Sequence, residues 1–219
     1  MIKNIIFDFD GVLVDSEILV AKAFAKYMQN FGINIDEKEF TSFAGKKTVQ
    51  VIDILSKKYS IKDQEKFFTD IMEIASNIYK KELTTVKGAY DFVSNLKLNM
   101  FIGSNSMKER IIDGLQRVKL NKYFKPEQVY SFDLVDNPKP DPDVYLKTLE
   151  DNNLIKTETI IIEDSAVGVM AGVAANVKVI GLTAGGHWHE KRDEKELLEA
   201  GAFAVTNDYK KVFKLIESN

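Results

Sequence analysis

The stretch that decides the fold spans residues 5–16 and reads IIFDFDGVLVDS. Its apolar, β-branched opening is typical of a buried strand, and a buried strand rarely carries carboxylates. Asp8 and Asp10 stand two positions apart, so an extended backbone directs both side chains to the same side. Gly11 permits a sharp turn, and the Asp-Ser pair that ends the stretch can cap a helix. The stretch therefore predicts a strand, paired carboxylates, a glycine turn and a capped helix.

The paired carboxylates indicate a cation site. Two like charges held close together do not both stay ionised without a cation or a proton between them. An Asp-x-Asp pair also occurs on surface turns, where it has no chemical role. The position of this pair after an apolar strand argues against that alternative, because a purely structural pair would be partly desolvated with nothing to offset the cost. We therefore expect a cation-binding site at the carboxyl end of a strand.

Composition fits an enzyme of ordinary kind. The 219 residues are 45% hydrophobic, enough to bury one large domain or two unequal ones. With 30 basic and 33 acidic side chains, the net charge is −3, so no nucleic-acid partner is expected. The chain has no cysteine, which excludes disulfides and thiolate metal sites. No apolar run approaches the roughly 20 residues of a membrane span, and Asp8 interrupts the only early apolar run. We expect a cytoplasmic protein without a membrane partner.

Short β-rich runs alternate with helical patterns along most of the chain. The runs lie near 4–9, 98–103, 128–132, 159–163 and 177–182, and the helical patterns lie at 87–97, 108–118, 142–152, 165–175 and 209–217. This alternation predicts an α/β fold with a parallel sheet. The polar candidates follow the strands, and ligands bind at the carboxyl ends of strands in such sheets.

Residues 16–84 interrupt this alternation and lack a convincing buried strand. Their apolar spacing predicts several amphipathic helices, at 16–31, about 36–43, 47–58 and 63–82. The sequence therefore indicates a helical insertion between the first strand and the rest of the sheet.

Three later segments complete a recognisable set of motifs. They are residues 99–106 (NMFIGSNS), 137–142 (NPKPDP) and 159–165 (TIIIEDS). Together with residues 5–16, and in this order, they resemble the four signatures of the haloacid dehalogenase-like (HAD) hydrolase superfamily. The resemblance is to its helical-cap subfamily I, in the branch of β-phosphoglucomutase, sugar phosphatases and 6-phosphogluconate phosphatase.

The later motifs are weak when each is taken alone. Ser104 also fits an ordinary strand-end hydroxyl, and Lys139 fits a solvated loop lysine. Glu163 and Asp164 also fit acids at a helix N-terminus. Agreement of all four motifs in order and spacing favours the family.

The resemblance implies a fold and a domain plan. The core is a Rossmann-like, HAD-like parallel sheet formed by residues 1–15 and 85–219. An all-helical cap domain, residues 16–84, is inserted after the first signature and closes over the active site. In such enzymes the cap governs substrate choice and excludes water.

The resemblance also assigns catalytic roles. Asp8 is the nucleophile that forms an aspartyl-phosphate, and Asp10 is the general acid that later activates water as a base. A neighbouring carboxylate and partial burial would raise the pKa of Asp10 for the acid role. Ser104 and Lys139 complete the catalytic set, with Lys139 supplying positive charge to the nucleophile and the transferred group.

Phosphate and substrate contacts are assigned in the same way. Gly11, Ser104, Asn105 and Lys139 are expected to bind the phosphate, with backbone amides near Asn105 contributing. Lys46 lies in the segment that resembles the cap loop reaching the active site. It either meets an anionic or hydroxylated substrate or is a solvated lysine at a helix start.

The implied cofactor is Mg²⁺, a hard ion that prefers oxygen ligands and retained waters. The ligands implied are Asp8, the backbone carbonyl of Asp10, and Asp164. Glu163 is expected as a further carboxylate, bound directly or through water.

Differences from relatives help to choose the reaction. Dehalogenases and phosphonate-cleaving enzymes of the superfamily lack the second aspartate, so Asp10 argues against both. β-Phosphoglucomutase carries a histidine on its first cap helix, at the place matched here by Val20. We therefore expect a phosphatase of a small sugar or sugar-acid phosphate, with a phosphomutase as the alternative. A binding protein without turnover is disfavoured because the motif residues are intact.

The segment around Trp188 leaves two interpretations open. His187 and His189 lack a third ligand and make a poor zinc site. Trp188 either flanks the substrate or packs within the protein. The phosphate ester is the expected partner, and the chain is expected to be a monomer or a weak homodimer.

Overall fold

A parallel six-stranded sheet is the centre of the fold in the part of the chain that the structure describes. The structure, a computed structural model, describes residues 1–35, 48–189 and 192–218. In chain order the strands are β1 (Asn4–Phe7), β2 (Asn99–Ser104), β3 (Val129–Ser131), β4 (Thr159–Glu163), β5 (Lys178–Leu182) and β6 (Ala204–Thr206). Their order in the sheet is β3-β2-β1-β4-β5-β6, and every neighbouring pair is parallel. The predicted α/β class is confirmed.

Continuous apolar runs explain why these segments are central strands. All four residues of β1 and all five residues of β4 are buried. Parallel strands covered on both faces have this composition, since neither face meets water. The strand β6 was not predicted from the sequence; it has three residues, two of them only half-buried.

Among the described residues, four α-helices follow β1, and from β2 onward α-helices and strands alternate. The helices are α1 (Glu17–Gln29), α2 (Thr48–Tyr59), α3 (Gln64–Glu82), α4 (Ala89–Asn95), α5 (Lys108–Arg117), α6 (Asp143–Asp151), α7 (Ala166–Ala174), α8 (Lys195–Glu199) and α9 (Tyr209–Glu217). Helix α7 lies close to the sheet because residue 172 is glycine. A Cβ there would lie 2.5 Å from Cγ2 of Val179 and 3.0 Å from Cδ1 of Ile161.

The chain divides into two compact units. The larger comprises Met1–Asp15, Thr84–Gly186 and Asp193–Asn219 and contains the sheet. The smaller comprises Ser16–Leu83 and His187–Arg192. The assignment of the short segment after Gly186 to the smaller unit was not expected from the sequence.

The smaller unit has an apolar core of its own, to which α1, α2 and α3 contribute. Met28, Leu55 and Ile71 are buried in it, and the rings of Tyr27 and Phe67 stack with centroids 4.5 Å apart. The predicted helix at 36–43 lies outside the described residues. None of the described helices has both the length and the apolar character that a bilayer crossing requires.

The sheet order brings distant motifs to one edge. β1 lies between β2 and β4, and Phe7 is paired with Ile102 on one side and Ile162 on the other. The strand order therefore reverses direction at β1. In open α/β sheets, ligands bind outside the carboxyl ends of the strands at such a reversal. Asp8 and Glu163 stand at this position.

Candidate active site

Three buried carboxylates and one buried lysine meet at the carboxyl edge of the sheet. Asp8 follows β1, Glu163 ends β4, and Asp164 follows it. One oxygen of each carboxylate lies within 4.8 Å of the others. The Nζ atom of Lys139 donates to Oδ1 of Asp8 and to Oε1 of Glu163, at 2.6 Å each. The four residues that the sequence motifs predicted to act together are thus adjacent.

The charges of this cluster do not balance. Three carboxylates face the single ammonium of Lys139. Burial raises the pKa of Asp8 well above its usual value; Lys139 opposes this change, while Glu163 and Asp164 add to it. Burial alone would lower the pKa of Lys139, but Asp8 and Glu163 outweigh burial, and the pKa is raised. The charged form of Lys139 is therefore favoured, and three acidic groups surround this one ammonium.

Glu163 is fully engaged by donors from the protein. Its Oε1 accepts hydrogen bonds from Lys139 and from the hydroxyl of Tyr145, the latter at 2.7 Å. Its Oε2 accepts from the backbone N–H of Asp164 at 3.0 Å and from the N–H and hydroxyl of Ser165 at 3.3 and 3.2 Å. The side chain of Glu163 is therefore held in one position, from which it orients Lys139.

A glycine on α7 leaves the space that Glu163 occupies. A Cβ at Gly168 would lie 1.8 Å from Oε1 and 1.9 Å from Cδ of Glu163. Such contacts are impossible, so no side chain can replace this hydrogen without displacing the carboxylate. The N–H of Gly168 also donates to the hydroxyl of Ser165, the N-cap of α7. Ser165 therefore links the first turn of α7 to the carboxylate of Glu163.

Tyr145 contacts Lys139 through its ring and Glu163 through its hydroxyl. The Nζ of Lys139 lies 4.7 Å from the centroid of the Tyr145 ring, a favourable position for a cation over an aromatic face. Burial raises the pKa of Tyr145 well above its usual value, and Glu163 adds to the effect. The hydroxyl therefore stays protonated and remains a donor to Glu163. The ring can approach the sheet because residue 103 is glycine, where a Cβ would lie 3.0 Å from Cε1 of Tyr145.

Asp10 lies beside this cluster and is held by two residues that the sequence interpretation gave no role. The Nη1 of Arg110 donates to Oδ1 and Oδ2 of Asp10 at 2.9 and 2.7 Å. The hydroxyl of Ser106 donates to Oδ2 at 2.5 Å. Arg110 is far from the first motif in sequence, but Ser106 and Arg110 are four residues apart. Ser106 lies before the helix that contains Arg110, so this spacing is not a helical one, and no local pattern in the sequence connected either residue with Asp10.

Ser104 and Asn105, both predicted to bind the phosphate, make different contacts in the structure. Ser104 is buried at the end of β2, and its Oγ accepts a hydrogen bond from the N–H of Ser106 at 3.1 Å. The side chain of Asn105 instead makes two hydrogen bonds to the backbone of Lys139. Its Oδ1 accepts from the N–H of Lys139 at 3.0 Å, and its Nδ2 donates to the carbonyl at 3.2 Å. In this structure Asn105 positions the lysine loop.

The turn after Asp10 requires glycine. Gly11 has a φ of +77°, a value that side chains disfavour. Its N–H donates to the carbonyl of Val14 at 2.8 Å, while the N–H groups of Leu13 and Val14 donate to the carbonyl of Phe9. The chain therefore folds tightly between β1 and α1.

The remaining candidates lie in the smaller unit or beyond the described residues. Lys46 is outside the described residues. Val20 lies on α1 and packs against the core of the smaller unit. The guanidinium of Arg192 lies 3.8 Å from the ring centroid of Trp188. Trp188 therefore makes at least a packing contact within this unit.

The donor set fits a magnesium ion. Asp8 and Asp164 supply hard oxygen atoms, and the close approach of three carboxyl groups favours a divalent cation at this point. Glu163 is better suited to holding Lys139 than to binding the ion directly, because both its oxygens already accept hydrogen bonds from the protein. The family's ion is thus compatible with the residues present.

The chain is similar to known proteins over most of its length. A phosphorylated carbohydrates phosphatase from Thermotoga maritima is 32% identical over 208 residues, which span 93% of each chain. A 6-phosphogluconate phosphatase from Escherichia coli is 29% identical over 189 residues, or 85% of each chain. A solved haloacid dehalogenase-like protein of unknown function from Agrobacterium tumefaciens has a TM-score of 0.89 at 28% identity, with 100% of this chain and 99% of that chain covered.

These relatives agree with the class expected from the motifs, a hydrolase of phosphatase type. The family model described as haloacid dehalogenase-like hydrolase matches residues 5–182. The chain belongs to the haloacid dehalogenase-like hydrolase family.

Proposed function

We propose that the protein is a magnesium-dependent phosphatase that hydrolyses a small phosphorylated metabolite through an aspartyl-phosphate intermediate. The observation that carries the proposal is the buried group of Asp8, Lys139, Glu163 and Asp164 with Asp10 beside it. A nucleophile, a fixed cation, hard oxygen donors and an acid–base group are what phosphoryl transfer to a carboxylate requires.

The first step transfers the phosphoryl group to the enzyme. An oxygen of Asp8 attacks phosphorus, and the bond between phosphorus and the substrate oxygen breaks. Asp10, protonated at this stage, gives its proton to the departing alcohol. Lys139 stays charged and steadies the negative charge that spreads over the phosphoryl oxygens. Ser104 is positioned at the strand end to donate its hydroxyl hydrogen to one of them.

The second step regenerates the enzyme. A water molecule attacks phosphorus while Asp10, now ionised, removes one of its protons. The bond between phosphorus and Asp8 breaks, releasing inorganic phosphate and the free carboxylate. Asp10 ends the cycle protonated, as it began. Over both steps, phosphate ester and water become alcohol and phosphate.

Magnesium would be held by Asp8, Asp164 and the backbone carbonyl of Asp10. When bound, it would neutralise charge on the carboxylates and on the phosphoryl group. Glu163 would contribute by fixing Lys139, and we propose no direct bond from Glu163 to the ion. The pKa of Asp8, raised by burial and by its acidic neighbours, supports the need for a cation before Asp8 can act as an ionised nucleophile.

The substrate class proposed is a sugar or sugar-acid phosphate. It is supported by the two named relatives, which are phosphatases of phosphorylated carbohydrates and of 6-phosphogluconate. Val20, in place of the histidine that the motif comparison associates with mutases, supports hydrolysis over transfer. A cytoplasmic location is part of the proposal and is supported only by the composition, in which cysteine is absent.

The test is phosphate release from a panel of sugar, sugar-acid, nucleotide and glycolytic phosphates, with magnesium and with a chelator. We expect release that requires magnesium and vanishes in Asp8→Asn. Release that survives in Asp8→Asn would refute the nucleophile. Isomerised sugar phosphate without free phosphate would establish the mutase instead. No turnover of any compound would refute both.

A further inference from the structure

The side chain of Asp10 is held by a compact hydrogen-bonded triangle. Besides its two bonds to Asp10, the Nη1 of Arg110 donates to the Oγ of Ser106 at 2.6 Å. The hydroxyl of Ser106 in turn donates a hydrogen bond to Oδ2 of Asp10. A single guanidinium nitrogen thus contacts both carboxylate oxygens and the hydroxyl. Neither oxygen of Asp10 can shift without breaking at least one of these bonds.

Both supporting residues are fixed by the backbone around them. Ser106 precedes α5 and its N–H donates to the buried Oγ of Ser104. Arg110 lies in the first turn of α5, where its guanidinium reaches back to the hydroxyl of Ser106. The triangle therefore ties the carboxylate of Asp10 to the end of β2 and to the start of α5. Asp10 itself lies beyond the end of β1, in the glycine turn.

We propose that Arg110, supported by Ser106, fixes the direction of the Asp10 carboxyl group, which in its protonated form gives a proton to the departing alcohol and becomes the carboxylate. This inference rests on the proposed phosphatase mechanism and adds a specific role within it. In this proposal Arg110 acts through Asp10 and is a positioning residue. General acid catalysis requires the proton donor within hydrogen-bond reach of the receiving atom, and small displacements are costly.

An ordinary ion pair would also look like this in a structure, so the test needs a readout that mere stability does not move. The leaving group supplies it. An alkyl alcohol must be protonated as it departs, whereas 4-nitrophenolate leaves readily as an anion. A defect in positioning Asp10 therefore affects alkyl phosphates selectively. kcat/KM is the correct quantity, because it includes steps only up to departure of the alcohol and excludes the later attack of water.

The experiment compares Arg110→Met, Arg110→Lys and Ser106→Ala with the wild type. Each is assayed with magnesium on the sugar phosphate that the panel ranks first and on 4-nitrophenyl phosphate. Arg117→Met is the matched control. Arg117 lies on the same helix and pairs with Asp113 at 2.6 and 2.9 Å, away from Asp10. Thermal unfolding of every variant reports whether it folds.

We expect Arg110→Met to lower kcat/KM for the sugar phosphate by about 10- to 100-fold, and for 4-nitrophenyl phosphate by less than about 3-fold. Ser106→Ala and Arg110→Lys should also lose more kcat/KM on the sugar phosphate than on 4-nitrophenyl phosphate, but by a smaller factor. Arg117→Met should lose kcat/KM on neither substrate. Equal losses on both substrates, or no loss on either, would overturn the positioning role. Should Arg110→Met not fold, the same outcomes are judged on Arg110→Lys and Ser106→Ala.

Asp10→Asn separates failure of this inference from failure of the mechanism beneath it. The proposed mechanism requires Asp10→Asn to lose more kcat/KM on the sugar phosphate than on 4-nitrophenyl phosphate. The ratio of these two losses should be larger than in any other variant. If Asp10→Asn is not selective, the acid role of Asp10 is wrong, and the inference fails with it. If Asp10→Asn is selective and the Arg110 variants are not, only the positioning role is wrong.

Discussion

Replacing Gly168 with alanine tests how the buried carboxylate of Glu163 is built into the fold. The added Cβ would lie 1.8 Å from Oε1, 1.9 Å from Cδ and 2.2 Å from Oε2 of Glu163. Since real Cβ contacts stay above 3.0 Å, the carboxylate has to move by more than 1 Å. It then leaves the one position at which its two oxygens meet the donors of Lys139, Tyr145 and the start of α7.

The magnitude follows from the bonds lost. A hydrogen bond to a charged group contributes about 1.5–3 kcal/mol, and losing two of them costs about 3–6 kcal/mol. Alanine in place of glycine within a helix returns about 1 kcal/mol. We therefore expect Gly168→Ala to lower the free energy of unfolding by about 2–5 kcal/mol. Turnover should fall at least 10-fold, because Lys139 loses an anchor.

The assay is urea denaturation of Gly168→Ala, Glu163→Ala and the double variant, together with phosphate release. With the carboxylate removed in Glu163→Ala, the Cβ has room, so adding Gly168→Ala should cost nothing or stabilise by up to about 1 kcal/mol. The reasoning is refuted if Gly168→Ala costs as much in the Glu163→Ala background as alone. It is also refuted if the single variant is as stable as the wild type.

Three further predictions concern the charged cluster and its supports. Asp8→Asn should abolish turnover while thermal unfolding still shows a folded protein; phosphate release near the wild-type rate would exclude Asp8 as nucleophile. Lys139→Met should abolish turnover and lower the free energy of unfolding by about 3–5 kcal/mol, because two buried carboxylates lose their cation; urea denaturation with and without magnesium measures this, and unchanged stability would contradict it. Asn105→Ala should lower kcat by about 3- to 30-fold by loosening the backbone of Lys139, and Asn105→Asp should be affected at least as much, because its second oxygen replaces the donor that faces the Lys139 carbonyl; a change confined to KM would indicate phosphate binding by Asn105 instead.

The sequence by itself determined the class of fold and the chemical parts of the site. Apolar runs that end in Asp8, Ser104 and Glu163 predict strands whose carboxyl ends carry polar groups, and this pattern is local along the chain. The α/β class and the family were therefore predictable. The short elements were not, because β6 (Ala204–Thr206) and α8 (Lys195–Glu199) are too brief to show a period.

Only the tertiary structure decided how the site residues divide their work. Three contacts join residues from 24 to 100 positions apart: Lys139 with Glu163, Asn105 with the backbone of Lys139, and Arg110 with Asp10. Hydrogen bonds of this kind depend on where strands and helices place side chains in space, and side-chain direction over such separations is not encoded in any local pattern. Residue types therefore predicted a site for phosphoryl transfer, while packing determined which of these residues contact one another and which neighbours hold them.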